Sequence, residues 1–377
     1  MTAYNHTQLA VLTIPTVQHS LPPVMDDVSL AYSLGIRPKT LWWAVFGGRE
    51  LAGTAKSTYT KGAILKRGKA GSRGALRAIH VPDWRVKNIQ KVLSAAFVKP
   101  IPVGDHVRAY EPGVKPLDTA EAIAGSKILW SFDLKNFFGS IRLPWIREYY
   151  ESLGYPRQVA NLIGQLCCVT DVHPSGKGKV RFLPQGTVVS PALANRIADH
   201  RLDQRILTLA QANGWSYYRY SDNVYMGHPD RLSREEVDAF KGQVFTAVGQ
   251  SGWRHHKSRV ALYWNRQSVL GAVVNEKPNM PSDEYKALRA AVYNCRVHGF
   301  SSQVAKARQR FKSSITTDEQ LISHLRGRLA YLKALLSEDK YNKLHDDFSA
   351  ALEAHRITVQ RKWLEEDLQD ARDAAGT

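Results

Sequence analysis

The stretch Ile128-Leu129-Trp130-Ser131-Phe132-Asp133-Leu134-Lys135-Asn136-Phe137-Phe138-Gly139-Ser140-Ile141 decides how this chain is read. Residues 128–132 form a short apolar run, the pattern of a buried strand, and the run ends on the carboxylate of Asp133. An acid in that place is costly unless something positive sits beside it. A second acid stands in a comparable position. Residues 215–227 are rich in Tyr and Val with polar residues at their middle, so they read as a hairpin turning near Asp222 and Asn223. If the two strands are neighbours, Asp133 and Asp222 reach one point from distant parts of the chain. Oxygen-only ligands with open coordination suit Mg²⁺ bound jointly with a phosphate substrate. Taken singly, Asp222 and Asn223 are also ordinary turn residues, and an Asp after a strand is often a helix cap.

Outward from this centre, the 377 residues are 44% apolar and 23% charged, a mixed globular composition that excludes collagen-like, disordered and coiled-coil classes and suits two or three domains. The 52 Lys and Arg outnumber the 34 Asp and Glu, and the excess is concentrated. Residues 37–108 carry fifteen basic side chains against Glu50, Asp83 and Asp105, which marks a polyanion-binding segment. Within it, Lys61, Lys66, Arg67, Lys69, Arg73 and Arg77 alternate with Gly62, Gly68, Gly71 and Gly74, as in a loop or hairpin that touches phosphates, or in a solvated loop. Residues 357–377 reverse the sign and read as a polar helical tail. No run of eighteen apolar residues and no basic leader before an apolar stretch is present, so no membrane partner is expected and a cytoplasmic location is. Cys167, Cys168 and Cys295 are a poor disulfide framework and read as buried thiols.

Helical spacing places a pair of short helices in residues 26–46 around Gly35 and Pro38, with Val28, Leu30, Ala31 and Leu34 inward. A further helix at 84–98 puts Val86, Ile89, Val92, Leu93 and Phe97 on one stripe. Residues 144–153 and 159–166 read as helices, 171–180 as a hairpin or loop, and 192–212 as one long helix. Leu321, Leu325, Leu329, Leu332 and Leu336 recur every three or four residues with Arg326, Arg328 and Lys333 off the stripe, giving an amphipathic helix with a basic face. Neither His255 with His256 nor Cys167 and Cys168 with His173 has zinc-site spacing.

Three ordered segments carry a resemblance. They are residues 131–141, then Leu183-Pro184-Gln185-Gly186-Thr187-Val188-Val189-Ser190-Pro191-Ala192-Leu193-Ala194-Asn195, then Arg219-Tyr220-Ser221-Asp222-Asn223. Together they resemble the three palm motifs of bacterial reverse transcriptases. Leu34-Gly35-Ile36, Arg77-Ala78-Ile79 with Pro82, and Lys87-Asn88-Ile89-Gln90 look like the fingers of retron and group II intron enzymes. Lys257, Val269-Leu270-Gly271, Val274-Asn275 and the helix from Leu325 to Tyr331 resemble the later palm and thumb of the retron type. The likeness covers about residues 25–350. It departs from the family in three places. The Tyr-x-Asp-Asp tetrad is Tyr220-Ser221-Asp222-Asn223, the Asn-Ala-x-x-His element is at best Thr119-Ala120-Glu121-Ala122-Ile123, and Val-Thr-Gly is Val269-Leu270-Gly271.

The resemblance implies an α+β right-hand polymerase with an antiparallel palm sheet and a helical thumb: an N-terminal extension at 1–24, fingers at 25–125, palm at 126–285, thumb at 286–356 and the tail beyond. It implies RNA-directed DNA synthesis in a retron or another bacterial antiviral-defence or mobile-element setting, with an RNA template, dNTPs, a DNA product and an effector protein as partners. Two Mg²⁺ ions, or Mn²⁺, would be held by Asp133, Asp222 and the carbonyl of Leu134, with Asn223 offering an amide oxygen and Lys257 a proton to pyrophosphate. Arg77, Lys66 and Lys69 would contact the triphosphate, Phe138 would exclude a ribose 2′-hydroxyl, and Gln185 and Gly186 would lie beneath the bases. Arg326, Arg328 and Lys333 would track a duplex backbone. Two other readings stay open: an RNA-bound scaffold without turnover, suggested by Asn223, and an RNA-templated RNA polymerase, which Phe138 opposes.

Overall fold

The computed structural model describes residues 21–46, 58–65, 76–172, 179–311 and 315–375. Two short helices, α1 (Asp27–Ser33) and α2 (Pro38–Phe46), open the described chain. Asp26 caps α1: its carboxylate accepts the Ser29 amide, and the Ser29 hydroxyl closes the reciprocal bond. Leu30, Ala31 and Leu34 face the core as expected, but Val28, at the margin of that face one turn before Ala31, is 42% exposed.

An antiparallel pair follows, β1 (Tyr59–Leu65) with β2 (Leu76–Pro82), in register from Tyr59 opposite Pro82 to Leu65 opposite Leu76. Helix α3 (Trp84–Leu93) then runs into a π-helical turn, Ser94–Val98. Val86, Ile89, Leu93 and Phe97 are buried, whereas Val92 is 41% exposed. The buried place flanking that stripe belongs to Gln90, whose amide donates to the Leu166 carbonyl and the Tyr59 hydroxyl. A satisfied amide can occupy an interior position that apolarity alone would assign to valine.

After α4 (Pro116–Ile123), strand β3 (Ile128–Leu134) extends one residue past Asp133. The chain continues through α5 (Phe137–Ser140), α6 (Leu143–Ser152), α7 (Arg157–Cys167) and the antiparallel pair β4 (Val169–Val172) and β5 (Lys179–Phe182). The long helix expected at 192–212 is present as α8 (Ser190–Ala198) and α9 (Gln204–Ala212), joined by a π-helical turn, Asp199–Asp203. Next come β6 (Ser216–Tyr220), β7 (Asn223–His228), α10 (Arg234–Gln250) and β8 (His255–Leu262). The short strands β9 (Ser268–Val269) and β10 (Ala272–Val273) precede α11 (Ser282–His298), α12 (Phe300–Phe311), α13 (Asp318–Leu332) and α14 (Glu338–Ala375).

The described residues fall into two compact units, one from Met1–Pro116 and Ile128–Val260, the other from Leu117–Lys127 and Ala261–Thr377. The first is built on a four-stranded sheet of order β6-β7-β3-β8, with β7 antiparallel to both β6 and β3. Trp130 is fully buried beneath it, its indole N–H donating to the Ser258 hydroxyl and its rings meeting Phe132, Trp215, Phe240 and Phe245. This aromatic layer clamps α10 against the sheet and fixes the height of β3 and β7. The second unit is helical, with Leu288, Val292, Leu321, Leu325, Leu329 and Leu332 buried. The stripe on α13 breaks after Leu332, where the helix ends, so Leu335 and not Leu336 turns inward. Among the described residues no helix is long and apolar enough to cross a membrane.

Candidate active site

The two acids meet. Asp133 lies opposite Asn223 across β3 and β7, and the Leu134 N–H donates to the carbonyl of Asp222 at 2.7 Å. Tyr220 pairs with Asn223, so Ser221 and Asp222 form a two-residue hairpin loop. Ser221 has φ +59°, in the left-handed region. The Asn223 amide donates to the Asp222 carboxylate at 3.2 Å.

Burial raises the pKa of both carboxyls. At Asp222 the neighbouring Asp133 charge adds to the rise, against the residue's own backbone amide and the Arg77 guanidinium. At Asp133 the opposing charges are Lys257 and His256. Two desolvated carboxylates with cations supplied from β2 and β8 form an anionic point ringed by positive charge. That arrangement suits a cation and a polyphosphate together. The donor set is all oxygen, as hard divalent ions prefer, and the mutual repulsion of the acids is what a cation would relieve, so these residues fit the metal expected of them.

The two adjacent phenylalanines part company. Phe137 is buried, stacked on Trp253 and lying under the Arg219 guanidinium, whereas Phe138 is half-buried and meets Phe137 edge-on. The Gln185 carbonyl accepts the His80 N–H at 2.8 Å. Gly186 has φ +99°, and a Cβ there would press on the His80 carbonyl and Ile79 at 3.1 Å, so glycine is required by both dihedral and space. Strand β2, which carries Arg77, is thereby fastened to the Gln185 loop. Arg77 and Lys257 are exposed, the latter at φ +49°. Lys66 and Lys69 lie outside the described residues. In the second unit, Arg326 and Lys333 are exposed, but Arg328 is half-buried, paired with Glu284 at 2.8 Å and set over the Phe311 ring.

A buried ionic cluster behind the hairpin is absent from the expected set. Arg219, with no exposed surface, donates three hydrogen bonds to Asp203 at 2.7 to 3.0 Å. Its other terminal nitrogen reaches the Asn195 side-chain oxygen at 3.0 Å and the Ser221 carbonyl at 3.2 Å. Tyr217 donates to Asp203, and His106 lies 2.8 Å from Asp199 and 3.4 Å from Asp203. His106, Asp199 and Asp203 have ligand atoms close enough to hold a metal, the group of that kind found among the described residues. The Arg219 guanidinium already covers the Asp203 carboxylate, however, and burial of His106 is overcome by its bonds to Asp199 and Asp203, which push its pKa up to about 9. In the described structure, then, these groups are joined to one another as an ion-pair cluster, and a metal there would have to displace both the His106 proton and the Arg219 guanidinium. The three cysteines are free and buried, and desolvation holds the thiols of Cys167 and Cys168 protonated.

The chain is also similar to known proteins. A family model described as reverse transcriptase (RNA-dependent DNA polymerase) matches residues 64–271. The retron Mx65 reverse transcriptase of Myxococcus xanthus is 29% identical over 330 residues, covering 85% of this chain and 71% of the relative. The retron Mx162 reverse transcriptase of the same organism is 30% identical over 296 residues, 71% of this chain and 58% of the relative. For the retron Ec86 reverse transcriptase of Escherichia coli the identity is 27% over 283 residues, 73% and 81% of the two chains. With more than half the chain inside the family match, and Asp133 joined to the Tyr220-Ser221-Asp222-Asn223 hairpin, this protein belongs to the reverse transcriptase family of RNA-directed DNA polymerases.

Proposed function

We propose that this protein is a retron-type reverse transcriptase that extends a primer on a structured RNA template, with fingers at 25–125, palm at 126–285 and thumb at 286–356. One observation carries the reading: the Leu134-to-Asp222 hydrogen bond, which locks the two acid-bearing strands so that Asp133 and Asp222 address a common point. Asp133, Asp222 and the Leu134 carbonyl hold the divalent ions, two Mg²⁺ in this reading. When bound, they lower the pKa of the primer hydroxyl and neutralise charge on the transferred phosphoryl group.

The chain's own residues do the rest. Arg77, exposed on β2 and within electrostatic reach of Asp222, binds the triphosphate of the incoming nucleotide, a task shared with Lys66 and Lys69. Lys257, whose charge acts on Asp133, donates a proton toward the leaving pyrophosphate. Phe138 presents its half-buried ring to the sugar, favouring deoxynucleotides, while Phe137 packs beneath it. The Gln185 and Gly186 turn supports the bases. In the thumb, Arg326 and Lys333 contact the duplex backbone.

Primer extension on RNA, with dNTPs and NTPs compared in Mg²⁺ and Mn²⁺, tests this directly. DNA synthesis that requires the RNA strand, and is lost in both Asp133→Ala and Asp222→Ala, is expected. Equal use of NTPs, or synthesis retained by either variant, would refute it.

A further inference from the structure

Ser221 is the point of departure. It is not glycine, yet it takes φ +59° at the first position of a two-residue hairpin loop, where glycine is usual because a Cβ strains the backbone. Such a conformation persists only when its surroundings over-determine it. Here two groups grip Ser221: the Tyr110 hydroxyl donates to its side chain at 3.2 Å, and Arg219 donates to its carbonyl at 3.2 Å. Of these, only Arg219 is anchored in the interior.

The anchoring is over-complete. Arg219 closes on Asp203 from the π-helical turn, and Asn195 from α8 fixes the nitrogen that reaches Ser221. Asn195 is itself held, its amide donating to Glu111 at 2.9 Å and to the Ala109 carbonyl at 2.5 Å. The backbone joins in: the Arg219 N–H donates to the His106 carbonyl, and the Arg219 carbonyl accepts from Arg108, both at 2.8 Å. Surplus desolvated charge of this kind is rarely a source of net stability, since apolar residues of like volume commonly do as well. What an apolar side chain could not do is hold the carbonyl next to Asp222.

We propose that Arg219, locked by Asp203 and Asn195, is a positioning residue that holds the strained Ser221 turn and so aims Asp222 at the point it shares with Asp133. The cluster that could pass for a second metal site is the mount of the first. The proposal rests on Asp222 as a metal ligand, but its primary test needs neither metal nor substrate.

In Arg219→Lys a cation still faces Asp203, but no fork remains to reach the Ser221 carbonyl. Hydrogen exchange of the metal-free chain is expected to quicken about tenfold or more at the amides of residues 220–224 and Leu134, matching loss of one charge-assisted bond. The amides of α8 and α9 should keep their protection. Mn²⁺ affinity, measured by calorimetry, should fall by a similar factor, and the Mg²⁺ needed for half-maximal synthesis should rise with KM for the primed template unchanged. Ser221→Gly added to Arg219→Lys takes φ +59° at no cost, and is expected to restore part of the Mn²⁺ affinity. A folded Arg219→Lys chain with wild-type exchange at 220–224 and wild-type Mn²⁺ affinity would overturn the proposal, as would loosening spread evenly over α8 and α9. Should Arg219→Lys fail to fold, Asn195→Ala leaves the Arg219–Asp203 pair intact and must show the same local quickening, or the assignment falls. A wild-type chain that makes no DNA, with Arg219→Lys still showing these exchange effects, would instead overturn the polymerase reading alone.

Discussion

Asp133 and Asn223 are register partners across β3 and β7, and the Asn223 amide donates to the Asp222 carboxylate beside it. A neutral amide therefore stands where the family tetrad has a second carboxylate, and it does more than subtract a charge. It supplies a hydrogen-bond donor to one of two half-buried acids that repel each other. On the proposed reading the site would fold more easily when empty and hold a hard divalent ion less tightly, because affinity for such an ion follows ligand charge.

Asn223→Asp reverses both effects. It is expected to lower the metal-free melting temperature by placing a third carboxylate at the hairpin tip, and to lower the Mg²⁺ concentration needed for half-maximal synthesis. Wild-type enzyme should be stimulated by Mn²⁺ over Mg²⁺, since Mg²⁺ dehydrates reluctantly and most needs the missing charge. Melting in EDTA and a metal titration of primer extension check both halves. An unchanged metal requirement would make Asn223 a turn former and nothing else.

Asp222→Asn should separate stability from activity. Burial and Asp133 raise the folded-state pKa of Asp222 above its usual 3.8, so the native chain holds this proton more tightly than the unfolded one. Stability attributable to this group falls as pH climbs from the unfolded value through the raised folded value. Removing the charge is therefore expected to raise the melting temperature at pH 7 without metal, to leave it unchanged near pH 3, and to abolish synthesis. Mn²⁺ should stabilise the wild type and not the variant, because only the former binds it well.

Phe137 and Phe138, neighbours in sequence, should answer differently to truncation. Phe138→Ala opens space beside the sugar and is expected to lower the ratio of dNTP to NTP incorporation with little loss of stability. Phe137→Ala removes a ring packed on Trp253 and under Arg219, at a cost of about 3–5 kcal/mol. Urea unfolding and competitive incorporation distinguish them, and a ratio unmoved by Phe138→Ala would make that ring plain packing.

The three cations on α13 and at its C-cap should not be equivalent. Arg326 and Lys333 are exposed, so replacing either with Ala should weaken binding of an RNA/DNA hybrid and reduce the slope of log affinity against log salt by about one. Arg328 is spent on Glu284 and Phe311, and Arg328→Ala should leave that slope intact while costing about 1 kcal/mol or less of stability. A slope change at Arg328 alone would invert this assignment.

The contrast at α13 shows what sequence reading could reach. Periodicity identifies which face of a helix is buried, and it found β3, the hairpin and both acids, because an acid interrupting an apolar strand is a local anomaly. It is blind to pairing between distant polar groups. Gln90 takes the interior place that apolarity gave to Val92, because its amide finds partners on β1 and α7. Arg219 opens a motif, yet its alternation with buried Tyr217 along β6 points it inward, and Asp199 and Asp203, spaced one helical turn apart, are the complementary signal. The π-helical turn that carries both acids has no sequence signature.

That same cluster sets the pH response of the fold. His106 is 7% exposed and faces Asp199 and Asp203 from the 199–203 turn, with Arg219 and Tyr217 of β6 on the far side of Asp203. Although burial disfavours its charge, the two carboxylates push its pKa up to about 9 from 6.5. A raised folded-state pKa means stability that is fully present below the unfolded value and is lost as pH rises through the folded one. The contribution at pH 6 is about 3 kcal/mol at most, by linkage. His106→Gln keeps a hydrogen-bond donor but no charge, so it should be less stable than wild type at pH 6, with the gap closing between pH 6.5 and 9 and small by pH 10. Urea midpoints across that range measure it. A gap that stays constant with pH would mean that His106 is neutral in the folded chain, and would reopen the His106, Asp199 and Asp203 group to a metal.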